Sequence, residues 1–267
     1  MLKGWIVMGA QSSWLPSMEQ GESEPDCETK RTSTGWHLRD MTGQHPLNRM
    51  RDYLARLTHK AKLRGLTRAR NKEYQEYLKV QFDRTFSKRN QIPARRNSIL
   101  MERLVEFGDP AKEGAVLCVG PREGFELDWF KGQGFSNVCG IDLFSQHPDV
   151  FVMDMHHMTF PDDTFEVVYA SHSLEHSYRV EQAVAEVLRV AKSRALMAVE
   201  VPIKYNAKGA DRFDFGDVNG VLRLFAPHVT RVLWSDEQEP GTPLNWSGTA
   251  IARTVFCIDK EGSGKGR

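Results

Sequence analysis

A short glycine-containing stretch is the first part of this sequence whose residues could bind a ligand. Val116–Leu127 reads VLCVGPREGFEL, in which four apolar residues lead into Gly120 and Gly124 follows. The dinucleotide fingerprint G-x-G-x-x-G needs glycines at 120, 122 and 125, but the chain has Arg122 and Phe125. A G-x-G-x-G loop needs 120, 122 and 124 and is matched at two positions. The spacing therefore disfavours a nicotinamide loop and leaves a different nucleoside-binding loop or a tight turn.

Two acidic residues at the ends of the next apolar runs could bind the rest of a nucleoside. Asp142 lies about twenty residues beyond the loop, where a carboxylate can accept hydrogen bonds from both hydroxyls of a ribose. A solvated acid at a strand end is the alternative for this residue. Asp154 ends the following run and could accept from an adenine amino group, while Met155 packs on the base.

Histidines beyond the run Phe165–Ser171 are candidates for acid–base chemistry. His172 and His176 lie in the segment SHSLEHS, and an imidazole can remove a proton from a hydroxyl at neutral pH. Alternatively, His176 only packs or hydrogen-bonds within its loop, and His172 lines the ligand pocket. His156 and His157 lie nearby in sequence, but an H-E-x-x-H pattern is absent, so we expect no metal site.

Apolar runs that alternate with helical patterns must position these residues. A helix face is formed by Val184, Val187, Leu188 and Ala191. The alternation predicts an α/β fold with a largely parallel sheet and helices on both faces, whose ligand lies at the carboxyl ends of the strands. The predicted strands are Ala115–Val119, Val138–Leu143, Val150–Met153, Phe165–Ser171, Ala195–Val201, Val229–Trp234 and Ile251–Ile258.

Charge divides the chain although its net charge is only +1. Residues 49–103 carry 16 lysines and arginines against five acidic residues, with Tyr and Phe between them at helical spacing. This basic segment could bind RNA phosphates and bases. The spacing favours the alternative, in which the aromatic residues form apolar helix faces that pack on the sheet.

Domain boundaries follow from the same patterns. Residues 1–45 have no sustained period and are expected to be a flexible segment. Residues 46–108 are predicted to be a basic helical extension, beginning with a helix over Leu47–Ala61, and residues 109–260 the sheet domain. Residues 261–267 are expected to be a flexible tail.

Composition indicates a cytoplasmic protein. The sequence contains no run of about 18 apolar residues, which is the length needed to span a membrane. The opening apolar stretch is too short for a secretory signal. The four cysteines lack C-x-x-C spacing, which argues against zinc, redox or disulfide roles and predicts buried small side chains.

Several segments, taken in order, resemble the class I S-adenosylmethionine-dependent methyltransferases, in the type 11 branch. They are VLCVGPREGFEL, GIDLF, MDMHHMTFPDDTFEVVYASHSLEH and AVAEVLRVAK leading to ALMAVEVP, and they cover Ala115–Pro202. The resemblance implies a Rossmann-like seven-stranded sheet with an antiparallel last strand, and a helical lid near YLKVQFDRTFSKR. It also implies S-adenosyl-L-methionine as cofactor, bound by Gly120, Pro121, Arg122, Gly124, Asp142, Leu143, Asp154, Met155 and Ser171.

The chain departs from this family in three places. Cys118 replaces an acid that usually approaches the methionine amino group, and Arg122 replaces the middle glycine of the loop. Lys192-Ser-Arg-Ala195 replaces a Pro-Gly-Gly turn before the fifth strand. Binding can survive these changes because backbone N–H groups and Asp142 remain.

Three functions are consistent with the sequence. The first is methylation of a small hydroxylated metabolite or sugar derivative, with His176 or His172 as base. In that case the acceptor contacts Tyr205, Asp211 and Arg212, in the region that often shapes the acceptor pocket. The second is RNA modification through residues 49–103. The third is S-adenosylmethionine binding without catalysis.

Overall fold

The apolar runs form one seven-stranded sheet in the computed structural model of the chain, which describes residues 72–87, 96–245 and 248–261. The strand order is β3-β2-β1-β4-β5-β7-β6. The strands are β1 (Ala115–Val119), β2 (Asn137–Asp142), β3 (Val150–Val152), β4 (Phe165–Ser171), β5 (Ala191–Ile203), β6 (Val229–Gln238) and β7 (Ala250–Ile258). Each contains most of one predicted strand, so the predicted sheet is confirmed.

Strand direction explains where a ligand can bind. Strands β1 to β5 pair in parallel, and β7 runs antiparallel to both β5 and β6, as the family resemblance implied. The chain moves outward from β1 to β2 and β3, then returns to place β4 on the other side of β1. The loops that leave β1 and β4 therefore diverge at a topological switch point, the usual position of a ligand in open α/β sheets.

Helices cover both faces of the sheet. Leu117 and Val119 of β1 belong to one buried cluster, whereas Val116 and Cys118 belong to the other, because side chains alternate along a strand. The helices α4 (Val180–Val190) and α5 (Val218–Phe225) pack in the first cluster, and α2 (Arg96–Gly108) and α3 (Phe125–Gly132) pack in the second. The helix α2 lies before the predicted domain boundary at residue 108, yet it packs in the core of the sheet. The helical extension and the sheet domain therefore share one core at α2.

The helix α1 (Lys72–Ser87) carries the predicted aromatic face. Its buried residues are Tyr74, Tyr77, Leu78, Gln81 and Phe82. The ring of Phe82 packs edge-on against that of Phe144, with centroids 5.9 Å apart. These aromatic side chains therefore pack within the protein, which agrees with the interpretation that their helical spacing favoured.

The start of β5 differs from the sequence prediction. Residues 192–194 were expected to form a turn before the strand, but β5 begins at Ala191, directly after α4. In place of a turn, β5 contains an irregular segment, in which Arg194 has a φ of 67° and the register against β4 shifts. Hydrogen bonding to a neighbouring strand thus extends β5 beyond its apolar run.

Several sequence predictions concern residues outside those described: the flexible segment 1–45, the flexible tail 261–267 apart from Glu261, the helix over Leu47–Ala61, and Cys27. Of the other cysteines, Cys118 is buried, and Cys139 and Cys257 are partly buried; all three are free thiols. Among the described helices, none has the length and apolarity needed to cross a membrane.

Candidate functional site

A pocket of about 160 Å³ lies at the carboxyl ends of the parallel strands. Its walls are the loops that follow β1, β2, β3 and β4, and α1 covers it with Tyr77, Gln81, Arg84 and Thr85. Eight of the predicted site residues line it: Gly120, Arg122, Asp142, Leu143, Asp154, Met155, His172 and His176. Residues from four separate segments of the sequence thus converge at the switch point of the sheet.

The loop after β1 has the backbone of a three-glycine turn. Gly120, Arg122 and Gly124 have φ values of 77°, 46° and 79°, in the left-handed region that favours glycine. Arg122 therefore adopts the conformation of the glycine it replaces. A Cβ added at Gly120 would lie 2.6 Å from the Cβ of Ser173, so a side chain there would block the approach of the β4 loop. Pro121 packs beneath the loop against Gly140, away from the pocket wall.

Asp142 is held in place by the loop after β1. Its Oδ2 accepts a hydrogen bond from the backbone N–H of Arg122 at 3.0 Å, and its Oδ1 accepts from the N–H of Phe144 at 3.3 Å. Burial raises the pKa of Asp142, and these two donors oppose the rise. Each oxygen keeps a lone pair, so the carboxylate can still accept from ribose hydroxyls as predicted.

Asp154 anchors α1 to the sheet. Its Oδ2 accepts a hydrogen bond from the hydroxyl of Tyr74, and its Oδ1 lies 2.7 Å from Nδ1 of His156. The Nε2 of His156 accepts from the backbone N–H groups of Tyr178 and Arg179, so the ring proton lies on Nδ1 and is donated to Asp154. Burial raises the pKa of Asp154, but the hydrogen bonds from His156 and Tyr74 lower it further, and the net shift is downward. Adenine binding by Asp154 stays a prediction. An adenine amino group would have to bind the same carboxylate that already accepts a hydrogen bond from Tyr74.

His172 belongs to a buried ion-pair network. Its Nε2 lies 3.1 Å from Oε1 of Glu200 without hydrogen-bond alignment, and its Nδ1 lies 3.5 Å from Oε1 of Glu175. Glu200 also pairs with the fully buried guanidinium of Arg253. Burial lowers the pKa of His172, but the two carboxylates raise it more strongly, to about 9. His172 is therefore a cation at neutral pH, which argues against its predicted role as a base.

His176 lies between two carboxylates at the border of the pocket. Its Nδ1 is 3.0 Å from Oδ1 of Asp211, although the ring is not aligned for a hydrogen bond, and its Nε2 is 3.7 Å from Oε1 of Glu175. Arg84 of α1 donates to the same Asp211 oxygen at 2.5 Å. His176 and Arg84 lower the pKa of Asp211 to about 2, so this carboxylate stays ionised.

Two buried side chains in the pocket wall have free polar atoms. Glu175 and Ser173 are 1% and 3% exposed, and Glu175 Oε2 and Ser173 Oγ have no hydrogen-bond partner among the described residues. The sequence prediction did not include them, nor the four pocket residues of α1 individually. The position of Glu175 between two candidate histidines was the available signal, because an acid there must lie beside both imidazoles.

Four predicted residues lie outside the pocket wall, besides Pro121 and Gly124. Ser171 donates to Oε1 of Glu200 beneath it. The Tyr205 hydroxyl donates to the carbonyl of Phe213 at 3.2 Å. Arg212 stacks over the rings of Tyr77 and Tyr178, and Asp211 reaches the pocket only through His176 and Arg84. Acceptor binding by Tyr205, Asp211 and Arg212 stays a prediction.

The histidines and acidic residues near the pocket lie close together, which raises the question of metal ligation. No group of three or more His, Cys, Asp or Glu side chains in the part of the chain that the structure describes is arranged to hold a metal ion. The histidines and carboxylates of the pocket are instead paired with one another, as His172 is with Glu200 and His176 with Asp211.

Comparisons with known proteins agree with the predicted family. Residues 117–199 match the family described as "Methyltransferase domain". The N1-methyltransferase of Burkholderia thailandensis that acts on 1,6-didemethyltoxoflavin has a similar fold, with 15% identity, a TM-score of 0.54, and 72% of this chain and 91% of that chain covered. A methyltransferase from Aquifex aeolicus has 19% identity and a TM-score of 0.47, with 64% and 97% covered. A search of curated proteins gave no match.

The family match spans the strands and loops that build the pocket, from Leu117 in β1 to Val199 in β5. It therefore includes the Gly120 loop, Asp142, Asp154 and the segment with His172 and His176. The sheet order, with an antiparallel β7 inserted between β5 and β6, agrees with the architecture that the motifs implied. S-adenosyl-L-methionine is the cofactor of this family. Residues 117–199 thus match the methyltransferase-domain family, in agreement with the class I S-adenosylmethionine-dependent methyltransferases that the motifs resemble.

Proposed function

We propose that this protein transfers a methyl group from S-adenosylmethionine to a hydroxyl of a small metabolite or sugar derivative, with His176 as the general base. The observation that carries the proposal is the pair formed by His176 and Asp211 at the border of the pocket. When bound, S-adenosylmethionine supplies a methyl group that its sulfonium has already activated. The chain must therefore align the acceptor, exclude water and receive one proton.

The residues of the pocket fit this cofactor. Asp142 presents ionisable oxygens at the end of β2, where a ribose is expected. Because Gly120 has no side chain, the loops after β1 and β4 can touch there. Ser173 Oγ and Glu175 Oε2 have no partner among the described residues and could bind polar groups of a ligand. A buried polar atom without a partner is rare in proteins, which supports a ligand at this position.

The arrangement around His176 suits a base that takes a proton from a hydroxyl. Asp211 is ionised and lies beside Nδ1, so it can orient the ring and stabilise the imidazolium that forms. The ring nitrogen Nε2 lies 3.7 Å from Oε1 of Glu175, beyond hydrogen-bond distance, so it can receive the proton. Such contacts are often poorly aligned without substrate and tighten when substrate binds. Arg84 fixes Asp211 from α1, so the helix that covers the pocket also holds the partner of the base.

The cover formed by α1 supports a small acceptor. Gln81 donates to the carbonyl of Ala210 at 2.7 Å, and Arg84 pairs with Asp211, so α1 is attached to the chain between β5 and α5. Tyr74 attaches its other end to Asp154. The pocket lies beneath this cover, so an acceptor must fit between α1 and the ends of the strands. RNA modification stays the alternative, and salt-dependent RNA binding by the full chain would favour it.

The proposal is tested by measuring transfer from radiolabelled S-adenosylmethionine to a panel of small alcohols, phenols and sugars. For any acceptor that the wild type methylates, we expect His176→Gln to lower kcat by about 10²- to 10⁴-fold, the typical contribution of a general base. Affinity for S-adenosylhomocysteine, measured by calorimetry, should fall much less than kcat does, which separates loss of the base from loss of donor binding. His157→Gln is the matched control, because His157 is exposed and lies outside the pocket wall.

Three outcomes would contradict the proposal in different ways. Full activity in His176→Gln would exclude this base. Donor binding without transfer to any acceptor would favour the non-catalytic alternative. If neither the donor nor S-adenosylhomocysteine binds, the pocket is not a methyl-donor site.

A further inference from the structure

Three carboxylates line the pocket, and two of them already have hydrogen-bond donors within the protein. Asp142 accepts from the N–H groups of Arg122 and Phe144. Asp154 accepts from Tyr74 and His156. Glu175 is the third, and its Oε2 has no donor among the described residues. The pocket therefore contains one carboxylate oxygen that lacks a partner until a ligand binds.

The environment of Glu175 keeps that oxygen charged. The side chain is 1% exposed, and its Oε1 faces Nδ1 of His172 at 3.5 Å and Nε2 of His176 at 3.7 Å. Burial raises the pKa of Glu175, but the two imidazoles lower it further, so the group is ionised at neutral pH. Both imidazoles lie on the Oε1 side. An ionised oxygen that is buried without a donor is costly, and a ligand with N–H groups would remove the cost.

The position of Glu175 separates it from the predicted ribose site. Asp142 ends β2, whereas Glu175 belongs to the loop after β4, and β1 lies between these two strands. The loops after β1 and β4 touch where Ser173 approaches Gly120. A nucleoside ligand whose ribose binds Asp142 and whose tail crosses Gly120 would bring that tail to Glu175. The tail of S-adenosylmethionine carries an ammonium group with three N–H donors.

Cys118 cannot supply a charge for that ammonium group. It lies two residues before Gly120, but its side chain is buried in the apolar cluster under α2 and α3, with Val116 and Tyr169. Burial also raises the pKa of its thiol, so no thiolate forms there. Of the described side chains in the pocket wall, Glu175 is then the carboxylate with an oxygen free to receive the ammonium group.

We infer that Glu175 binds the ammonium group of the methyl donor through Oε2, from the loop after β4 instead of from β1. The inference rests on the proposed binding of S-adenosylmethionine in this pocket. It makes Glu175 a donor-binding residue that discriminates ligands with an amino-acid tail from ligands without one. His172 and His176 act on it as positioning residues, because they occupy the Oε1 side and leave Oε2 to the ligand.

The first experiment needs no variant. Calorimetry of the full-length protein compares S-adenosylhomocysteine with its deamino analogue, which keeps the carboxylate but lacks the ammonium group. We expect the analogue to bind about 30-fold more weakly, the effect of one hydrogen-bonded charge contact. Equal affinity for the two ligands would overturn the inference.

The second experiment assigns the effect to Glu175. Glu175→Gln should bind S-adenosylhomocysteine about 30-fold more weakly than the wild type, with the affinity for the deamino analogue unchanged. Asp142→Asn should weaken both ligands alike, because both carry the ribose. Glu181→Gln, an exposed change at the start of α4, is the matched control and should alter neither. Thermal unfolding verifies that each variant is folded.

The outcomes separate this inference from the proposed function. If Glu175→Gln weakens both ligands equally, Glu175 only supports the pocket and the inference is wrong while donor binding stands. If neither ligand binds the wild type, the proposed function itself is wrong. A loss confined to the ligand with the ammonium group supports the inference.

Discussion

The two ends of the pocket are built in different ways. After β2, Asp142 is held by two backbone N–H groups of neighbouring loops. After β4, side chains are held by other side chains: His172 by Glu175 and Glu200, and His176 by Asp211. Backbone donors keep the positions that their loops give them, whereas paired side chains can exchange partners. The end at β2, the proposed nucleoside end, is therefore organised before a ligand binds, and the end at β4, the proposed acceptor end, can respond to one.

The acceptor end is also where the protein concentrates its buried charge. Glu200 and Arg253 are both fully buried on neighbouring strands β5 and β7, and they lie beneath His172. At the nucleoside end the energetic cost is backbone strain, because Arg122 has a left-handed conformation that favours glycine. The buried charge at one end and the backbone strain at the other involve different residues, so separate substitutions can change each of them alone.

The largest effect is expected from the charge beneath the acceptor end. Glu200→Ala would leave the buried guanidinium of Arg253 without its main partner, so we expect the free energy of unfolding to fall by about 3–5 kcal/mol. Urea denaturation measures this change. Asp162→Ala removes an exposed partner of Arg189 and should change it by no more than about 0.5 kcal/mol. A similar decrease in the free energy of unfolding in both variants would show that the buried ion pair stabilises the fold no more than the exposed one.

A smaller effect is expected from His172 as pH changes. Its pKa is raised to about 9 in the folded protein, so its stabilising contribution is full below the unfolded pKa of about 6.5 and is lost as pH rises through 9. We expect the stability difference between wild type and His172→Gln to shrink by on the order of 2 kcal/mol between pH 6.5 and 10. Denaturation across this range measures it. Parallel curves for the two proteins would refute the ion-pair account of His172, as would an NMR titration of its ring near 6.5.

The smallest effect concerns the strained loop at the nucleoside end. Arg122→Gly should be more stable than Arg122→Ala by about 1 kcal/mol, because only glycine adopts a φ of 46° without a steric cost. Comparing two truncations of the same residue removes the loss of the arginine contacts from the difference. The same pair of changes at Arg194, whose φ is 67°, provides a control remote from the pocket. Equal stability of the glycine and alanine variants at 122 would mean that the loop relaxes.

Much of the fold could be predicted because local patterns and global topology agree. The runs that became β1 and β4 were predicted at their observed ends, since each is apolar and bounded by polar or glycine residues. The start of β5 was not, because Ala191 pairs with Phe165 of β4 and the strand continues through Lys192 and Ser193, whose types do not favour a strand. Glu175 was missed for a similar reason: only its burial shows that its carboxylate lacks a partner.

The sequence alone determined the sheet, the loop at Gly120, the acids at 142 and 154, and the family they indicate, since each depends on residue types at short spacing. Tertiary structure decided which side chains share the pocket. It joined Asp211 to His176, and it joined Arg84 of α1 to Asp211 across 127 residues of chain. It also made His172 a cation by burying two carboxylates beside it. Charge states and partners depend on distance and burial, which exist only after the chain has folded.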